Sequence, residues 1–80
     1  MSRLIFAAQA ILWRLQGSRG TVITCCLDLL PNGKHEIRIL HGGDLQMRET
    51  HATLRDAQHR AATLAATLLK DGWARVEGSS

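Results

Sequence analysis

The 80-residue sequence has no tyrosine, one phenylalanine, one proline and only two cysteines. The cysteines, Cys25 and Cys26, are adjacent, and neighbouring side chains on a strand point to opposite faces, which argues against a mutual disulfide. No apolar run is long enough to span a membrane as a helix. Without disulfides or a complete secretory signal, the chain is expected to reside in the reducing cytoplasm.

The length predicts one small domain over residues 1–80, with a core at about 11–75. A chain of this size buries roughly 60–65% of its unfolded surface, so its free energy of unfolding is expected to be small. Small domains are often stabilised further by oligomerisation. Ten basic and seven acidic residues give a formal charge of +3, which is too small to identify a nucleic-acid partner. The abundance of Ala, Leu, Arg and Gly favours a bacterial source with a GC-rich gene.

The two ends of the chain are the least informative parts of the sequence. Residues 1–10 place a five-residue apolar run after Arg3, as a secretory signal does, but the run is shorter than the roughly 7–15 residues that such a signal needs. We favour a leading strand or short helix at the domain edge. Residues 76–80, which end in Gly-Ser-Ser, are expected to form a frayed tail.

The clearest predicted element is an amphipathic helix over residues 53–73. Thr53 and Asp56 have the spacing of a capping box, and an acidic residue in the first turn suits the helix dipole. Gly72 is placed to close a Schellman motif, after which Trp73 folds back on the last turn. The predicted buried face comprises Leu54, Ala57, Ala61, Leu64, Ala65, Leu68 and Leu69.

The chain before the helix reads as strands separated by Gly-rich turns. Alternating polarity and β-branched residues predict strands at 11–16, 21–30, 34–41 and 45–49. Asn32-Gly33 is the clearest hairpin turn, because Asn-Gly accepts the positive φ that a tight turn needs. The predicted fold is α+β: a three- or four-stranded antiparallel β-meander with one C-terminal amphipathic helix packed on one face.

The alternation also assigns side chains to the two faces of the sheet. The predicted core consists of Trp13, Leu15, Ile23, Cys25, Leu27, Ile37, Ile39, Leu45, Met47, Ala57, Ala61, Leu64, Leu68 and Trp73. The uncovered face is expected to carry Arg14, Val22, Thr24, Cys26, Asp28, Glu36, Arg38, Leu40, Gln46 and Arg48.

A strand that begins near Trp13, a Cys-bearing second strand, the Glu36-Ile37-Arg38 strand and an Ala-rich helix ending in Gly72-Trp73 together resemble small uncharacterised bacterial proteins. The resemblance covers residues 13–73. Its motifs are structural, so it implies the fold and no activity.

No pattern of reactive side chains predicts an enzyme, a metal site, a cofactor or a small-molecule ligand. The four histidines lack the helical spacing that brings two imidazoles to one metal ion. Gly42-Gly43-Asp44 lacks the strand, helix and lysine of a phosphate-binding loop. Glu36 and Glu49 are expected to form ion pairs, and a thiol-dependent activity at Cys26 is a remote third option.

The uncovered face therefore carries the functional expectation. Arg14, Arg38 and Arg48 come from three different strands, and Arg19 and Lys34 lie in the turns. The sequence favours a non-enzymatic interaction module that pairs with a second copy of itself, through this face or through an edge strand. The alternative is a weak nucleic-acid binder that uses the same five basic residues, although no exposed aromatic side chain accompanies them.

Overall fold

The computed structural model describes residues 10–76, and the interpretations of residues 1–9 and 77–80 lie outside that range. The chain forms four consecutive strands, then a helix, then a two-residue strand. These elements are β1 (Ala10–Gln16), β2 (Val22–Leu29), β3 (His35–His41), β4 (Asp44–His51), α1 (Leu54–Lys70) and β5 (Ala74–Arg75).

The strands build one antiparallel sheet in the order β4-β3-β2-β1-β5, and α1 packs across one of its faces. The predicted α+β fold, a β-meander with a single helix, is confirmed. The fifth strand was not predicted. It pairs Ala74 with Gln16 and Arg75 with Leu15, which covers the outer edge of β1. Two residues show no periodicity, so only the tertiary structure reveals this strand.

Local signals at the helix ends act as predicted. The Thr53 hydroxyl accepts a hydrogen bond from the Asp56 backbone N–H at 3.1 Å. At the other end Gly72 has a φ of +105°, which glycine adopts without strain. The backbone N–H of Trp73 then donates to the Leu68 carbonyl at 3.0 Å, and that of Gly72 to the Leu69 carbonyl at 3.1 Å. This is the hydrogen-bond pattern of a Schellman motif.

The Asn32-Gly33 hairpin forms, but its conformation differs from the predicted one. Of the two turn residues only Gly33 has a positive φ, at +84°, since no non-glycine residue among those described has one. The Gly33 N–H donates to the Leu30 carbonyl at 2.9 Å, and the Leu30 N–H donates to the Lys34 carbonyl at 2.8 Å. Asn32 instead uses its side-chain oxygen to accept the Lys34 N–H at 2.9 Å. Asn32 therefore stabilises the turn through its side chain rather than through a left-handed backbone.

The core lies between the sheet and three alanines of the helix, Ala57, Ala61 and Ala65, which are all buried. Their short side chains let α1 approach the sheet closely. Met47, Leu64, Leu68 and Trp73, predicted as core residues, are half-buried and pack against this cluster. Leu54 was predicted on the buried face but is 42% exposed, because it lies at the first residue of the helix. The fully or nearly buried members are Trp13, Leu15, Ile23, Cys25, Leu27, Ile37, Ile39, Ala57, Ala61 and Ala65.

The prediction that Leu45 points into the core and Gln46 away from it is wrong. Ile39 pairs with Met47, whereas the next residue of β3, Leu40, pairs with Leu45. Gln46 is therefore an extra residue in a β-bulge, which breaks the strict alternation of β4. Leu45 turns outward and is 47% exposed. Gln46 turns toward the helix side, where it lies beside Met47.

Candidate interaction face of the sheet

The face of the sheet opposite α1, here called the outer face, carries the three predicted strand arginines. Arg38 and Arg48 are direct cross-strand partners on β3 and β4. Arg14 pairs with Thr24, which pairs in turn with Leu40, two residues along β3 from Arg38. Since residues two apart on a strand share a face, the register places all three arginines on the outer face.

Two of these arginines are held by carboxylates of the same face. Nη2 of Arg38 lies 2.7 Å from Oδ2 of Asp28, and Nε of Arg48 lies 3.3 Å from Oε2 of Glu36. Glu36 also lies 3.9 Å from Nε of Arg38, so one carboxylate bridges two adjacent guanidinium groups. This network offsets the repulsion that two directly opposed arginines would otherwise create. The three arginines exceed the two carboxylates by only one positive charge.

The Arg38 side chain is the least satisfied part of this network. Within residues 10–76, its Nε is a buried side-chain nitrogen that makes no hydrogen bond. A buried donor without an acceptor lowers the stability of the fold, and most buried donors in folded proteins have an acceptor. The outer face thus holds an unused donor beside its ion pairs.

Next to the ion pairs the outer face is apolar. Leu40 and Leu45 lie directly opposite each other, and the bulge at Gln46 is what brings Leu45 to this side. Ile11, the cross-strand partner of Cys26, is 51% exposed. Cys26 lies on the outer face as predicted, and it is only 3% exposed. The outer face therefore carries the apolar pair Leu40 and Leu45 at its β3–β4 hairpin end, the ion-pair network beside that pair, and Ile11 two strands away on β1.

Arg19 and Lys34 do not join the three strand arginines. Arg19 lies in the β1–β2 turn, where it lines a surface cavity with Trp73 and Asp71. Lys34 lies in the β2–β3 turn. Successive turns of a meander lie at opposite ends of the sheet, so the two cations flank the outer face from opposite sides.

The two thiols are poorly placed for chemistry. Cys25 is fully buried against the helix side, and this burial, followed by the proximity of Cys26, raises its pKa to about 12. A thiol with so high a pKa carries almost no reactive thiolate near neutral pH. Cys26 is free and buried on the opposite face. The structure offers no accessible nucleophile at either position.

A polar cluster on the helix side was not predicted in this form. Glu49 points toward α1, where Arg60 binds its carboxylate through both Nε and Nη2 at 3.0–3.3 Å. His51 lies 3.1 Å from the same carboxylate. The hydrogen bonds from Arg60 are the main reason that the pKa of Glu49 is lowered, against the opposing effect of burial. The cluster ties the edge strand β4 to the helix.

Glu36 and Glu49 were both predicted to form ion pairs on neighbouring strands. They do so on opposite faces of the sheet, with Glu36 on the outer face and Glu49 on the helix side. The odd-numbered residues after the bulge, Met47, Glu49 and His51, all lie on the helix side. The alternation of β4 places Glu49 on the same face as Met47, the helix side. Its pairing with Arg60 could not be predicted, because it depends on how α1 crosses the sheet. Within residues 10–76, no group of three or more His, Cys, Asp or Glu side chains is arranged to hold a metal ion.

No helix in the described part of the chain is long and apolar enough to cross a membrane. Comparisons with protein-family models, with curated proteins and with solved structures give no match. The chemistry of the outer face is therefore the basis for a functional proposal.

Proposed function

We propose that this protein is a non-enzymatic interaction module that forms a homodimer through its outer face. The observation that carries the proposal is the outward pair Leu40 and Leu45, which lies beside the ion pairs of Arg38 and Arg48 on the same face. Ile11, two strands away on β1, adds a further exposed apolar side chain. Protein–protein interfaces combine exposed apolar side chains with polar and charged groups in this way. The free thiols support the cytoplasmic setting that we include in the proposal.

The charges of the outer face favour a second copy of the chain as the partner. A two-fold contact is isologous, so each group meets a group of the same surface on the other copy. The face carries guanidinium groups together with the carboxylates of Asp28 and Glu36, and such a mixed surface can complement itself across a two-fold axis.

The edge of β4 is a less suitable contact than the outer face. An edge strand invites pairing with another strand unless a bulge, a charge or an inward-pointing charged residue blocks it. β4 has all three of these devices: the bulge at Gln46, the exposed side chain of Arg48, and Glu49 facing the helix. The contact between faces is therefore the form of dimer that we propose.

The test is sedimentation equilibrium of the wild type and two matched variants, Leu45→Glu and Leu54→Glu. Both leucines are similarly exposed, at 47% and 42%, but only Leu45 lies on the outer face. We expect a mass that rises toward the dimer with concentration, and a dimer dissociation constant at least about tenfold higher for Leu45→Glu only. A monomer at millimolar concentration, or equal effects of the two substitutions, would contradict the proposal.

Nucleic-acid binding is the second candidate, because Arg14, Arg38 and Arg48 share one face. It ranks lower since two of these arginines are already bound to carboxylates. A titration of isotope-labelled protein with a short DNA duplex and with single-stranded RNA tests it at low salt. Amide shifts that cluster at the three arginines and disappear at high salt would support this function. Unchanged spectra with both nucleic acids would exclude it.

A further inference from the structure

We infer that a cavity on the helix side of the sheet binds a small, uncharged, mainly apolar molecule that carries one hydrogen-bond acceptor. The cavity lies between α1 and the sheet, has a volume of about 280 Å³ and is open to solvent on one side. Its apolar lining consists of Trp13, Ile23, Ile39, Met47, Leu64 and Leu68. This site is separate from the outer face, so a test of ligand binding here does not depend on whether the proposed dimer forms.

The cavity arises from the way the helix is seated. Ala57, Ala61 and Ala65 hold α1 close to the sheet along one line, and the larger side chains of Leu64 and Leu68 extend beyond that line. Leu64, Leu68 and Met47 are only half-buried, although they pack against the core. Large apolar side chains around an open cavity leave hydrophobic surface in water, and an apolar ligand of matching size would bury it.

Polar groups at the cavity select the chemistry of the ligand. His41, Gln46 and Thr67 are the polar lining residues, and Gln46 reaches the cavity because of the bulge in β4. The Thr67 hydroxyl already donates to the Thr63 carbonyl at 3.1 Å, so its proton is in use. The His41 ring packs edge-on against Trp73 with centroids 5.9 Å apart, which restrains its orientation. The available donors are thus the Gln46 amide and a ring N–H of His41, although both groups can also accept. An acceptor on the ligand suits them best, because one carbonyl oxygen with two lone pairs can accept from both N–H groups.

The lining also determines the charge and the size of the ligand. None of the described lining residues carries a carboxylate, an ammonium or a guanidinium group. A charged ligand would lose hydration without gaining a counter-ion, so the acceptor should be an uncharged carbonyl or ether oxygen. Since an apolar cavity of about 150 Å³ accommodates benzene, 280 Å³ with one open side suits a molecule of about ten heavy atoms.

The experiment compares three probes of nearly equal size: acetophenone, ethylbenzene and benzoate. Methyl resonances of Ile39, Met47, Leu64 and Leu68 report binding in NMR titrations. We expect acetophenone to shift these signals saturably, with a dissociation constant on the order of 0.1–1 mM. Ethylbenzene, which lacks the acceptor, should bind about fivefold more weakly, and the charged benzoate more weakly still.

Variants locate the binding and identify the donor group. The double variant His41→Phe with Gln46→Leu should remove the preference for acetophenone over ethylbenzene, whereas Gln16→Leu, on the other face of the sheet, should retain it. Leu64→Trp, which places an indole in the cavity, should abolish binding of both. The site is refuted by an absence of saturable shifts with either neutral probe. A preference unaffected by the double variant, or benzoate binding as tightly as acetophenone, refutes the assigned ligand chemistry.

Discussion

The indole N–H of Trp13 donates a 2.9 Å hydrogen bond to the main-chain carbonyl oxygen of Ala61. The bond joins β1 to the middle of α1 across a sequence separation of 48 residues. Trp13 is 9% exposed and Ala61 is 2% exposed, so the pair lies within the core. A buried donor satisfied by one specific carbonyl fixes where along the sheet the helix rests, which hydrophobic contact alone does not do.

Replacing Trp13 with phenylalanine is expected to lower the free energy of unfolding by about 1–3 kcal/mol, because the variant loses this hydrogen bond and leaves a small cavity. Urea unfolding followed by circular dichroism measures the change. Trp73→Phe is the matched control, since Trp73 is half-buried at the end of the helix. An equal loss in both variants would show that the bond to Ala61 has no particular importance.

The close approach of the helix depends on its alanines, and Ala57 is fully buried. Ala57→Leu should lower the free energy of unfolding by about 1–3 kcal/mol, because the core has no room for the added methylene and methyl groups. Ala66→Leu makes the same change at an exposed position of the same helix and should stay within about 0.5 kcal/mol of the wild type. If thermal or urea unfolding gave similar values for the two, the packing described for α1 would be incorrect.

Acid should weaken the tie between β4 and α1. The pKa of Glu49 is lowered in the folded state by its hydrogen bonds with Arg60, from an ordinary value of 4.5. The ionised carboxylate therefore adds stability that is fully present above about pH 4.5 and disappears as the pH falls through the lower folded-state pKa. A double-mutant cycle of Glu49→Gln and Arg60→Gln should show favourable coupling at pH 7. It should show none at a pH below the folded-state pKa of Glu49, where the carboxyl group is protonated. Coupling that is independent of pH would rule out this role for the carboxylate.

Burial should protect Cys25 from alkylation. Its pKa of about 12 lies three units above the ordinary value of 9.0, so its thiolate population near pH 8 is reduced roughly a thousandfold. A Cys26→Ala variant lacks the smaller contribution of Cys26 to this pKa but keeps the burial. In it, iodoacetamide should still modify Cys25 at least roughly a hundredfold more slowly in the native state than in urea. Mass spectrometry over time measures both rates. Rapid native-state modification would mean that the second strand opens readily or that the thiol is not buried.

The elements whose residues interact locally were predictable. The capping residue Thr53, the terminating Gly72 and the apolar period between them define α1 because each acts within one helical turn. The three hairpins connecting β1 to β4 follow from Gly-containing turns, and alternation correctly places Ile23, Cys25 and Leu27 on the helix side. These signals require no knowledge of distant partners.

The errors occur where a distant partner overrides the local pattern. Leu45 and Gln46 exchange faces because β4 must keep its register with β3 on both sides of a bulge. The pairing of Arg38 with Asp28 and of Arg48 with Glu36 depends on rotamers and register that single-strand alternation does not specify.

The sequence by itself determined the fold class, the order of β1 to β4 and α1, and the three strand arginines that share a face. Capping, periodicity and turn chemistry are properties of neighbouring residues, so they can be read without a structure. Only the tertiary structure decided that Leu45 lies outside, that Gln46 lines a cavity and that carboxylates bind two of the three arginines. These features depend on contacts between residues on different elements, and the free energy of those contacts exceeds the preference of any one strand.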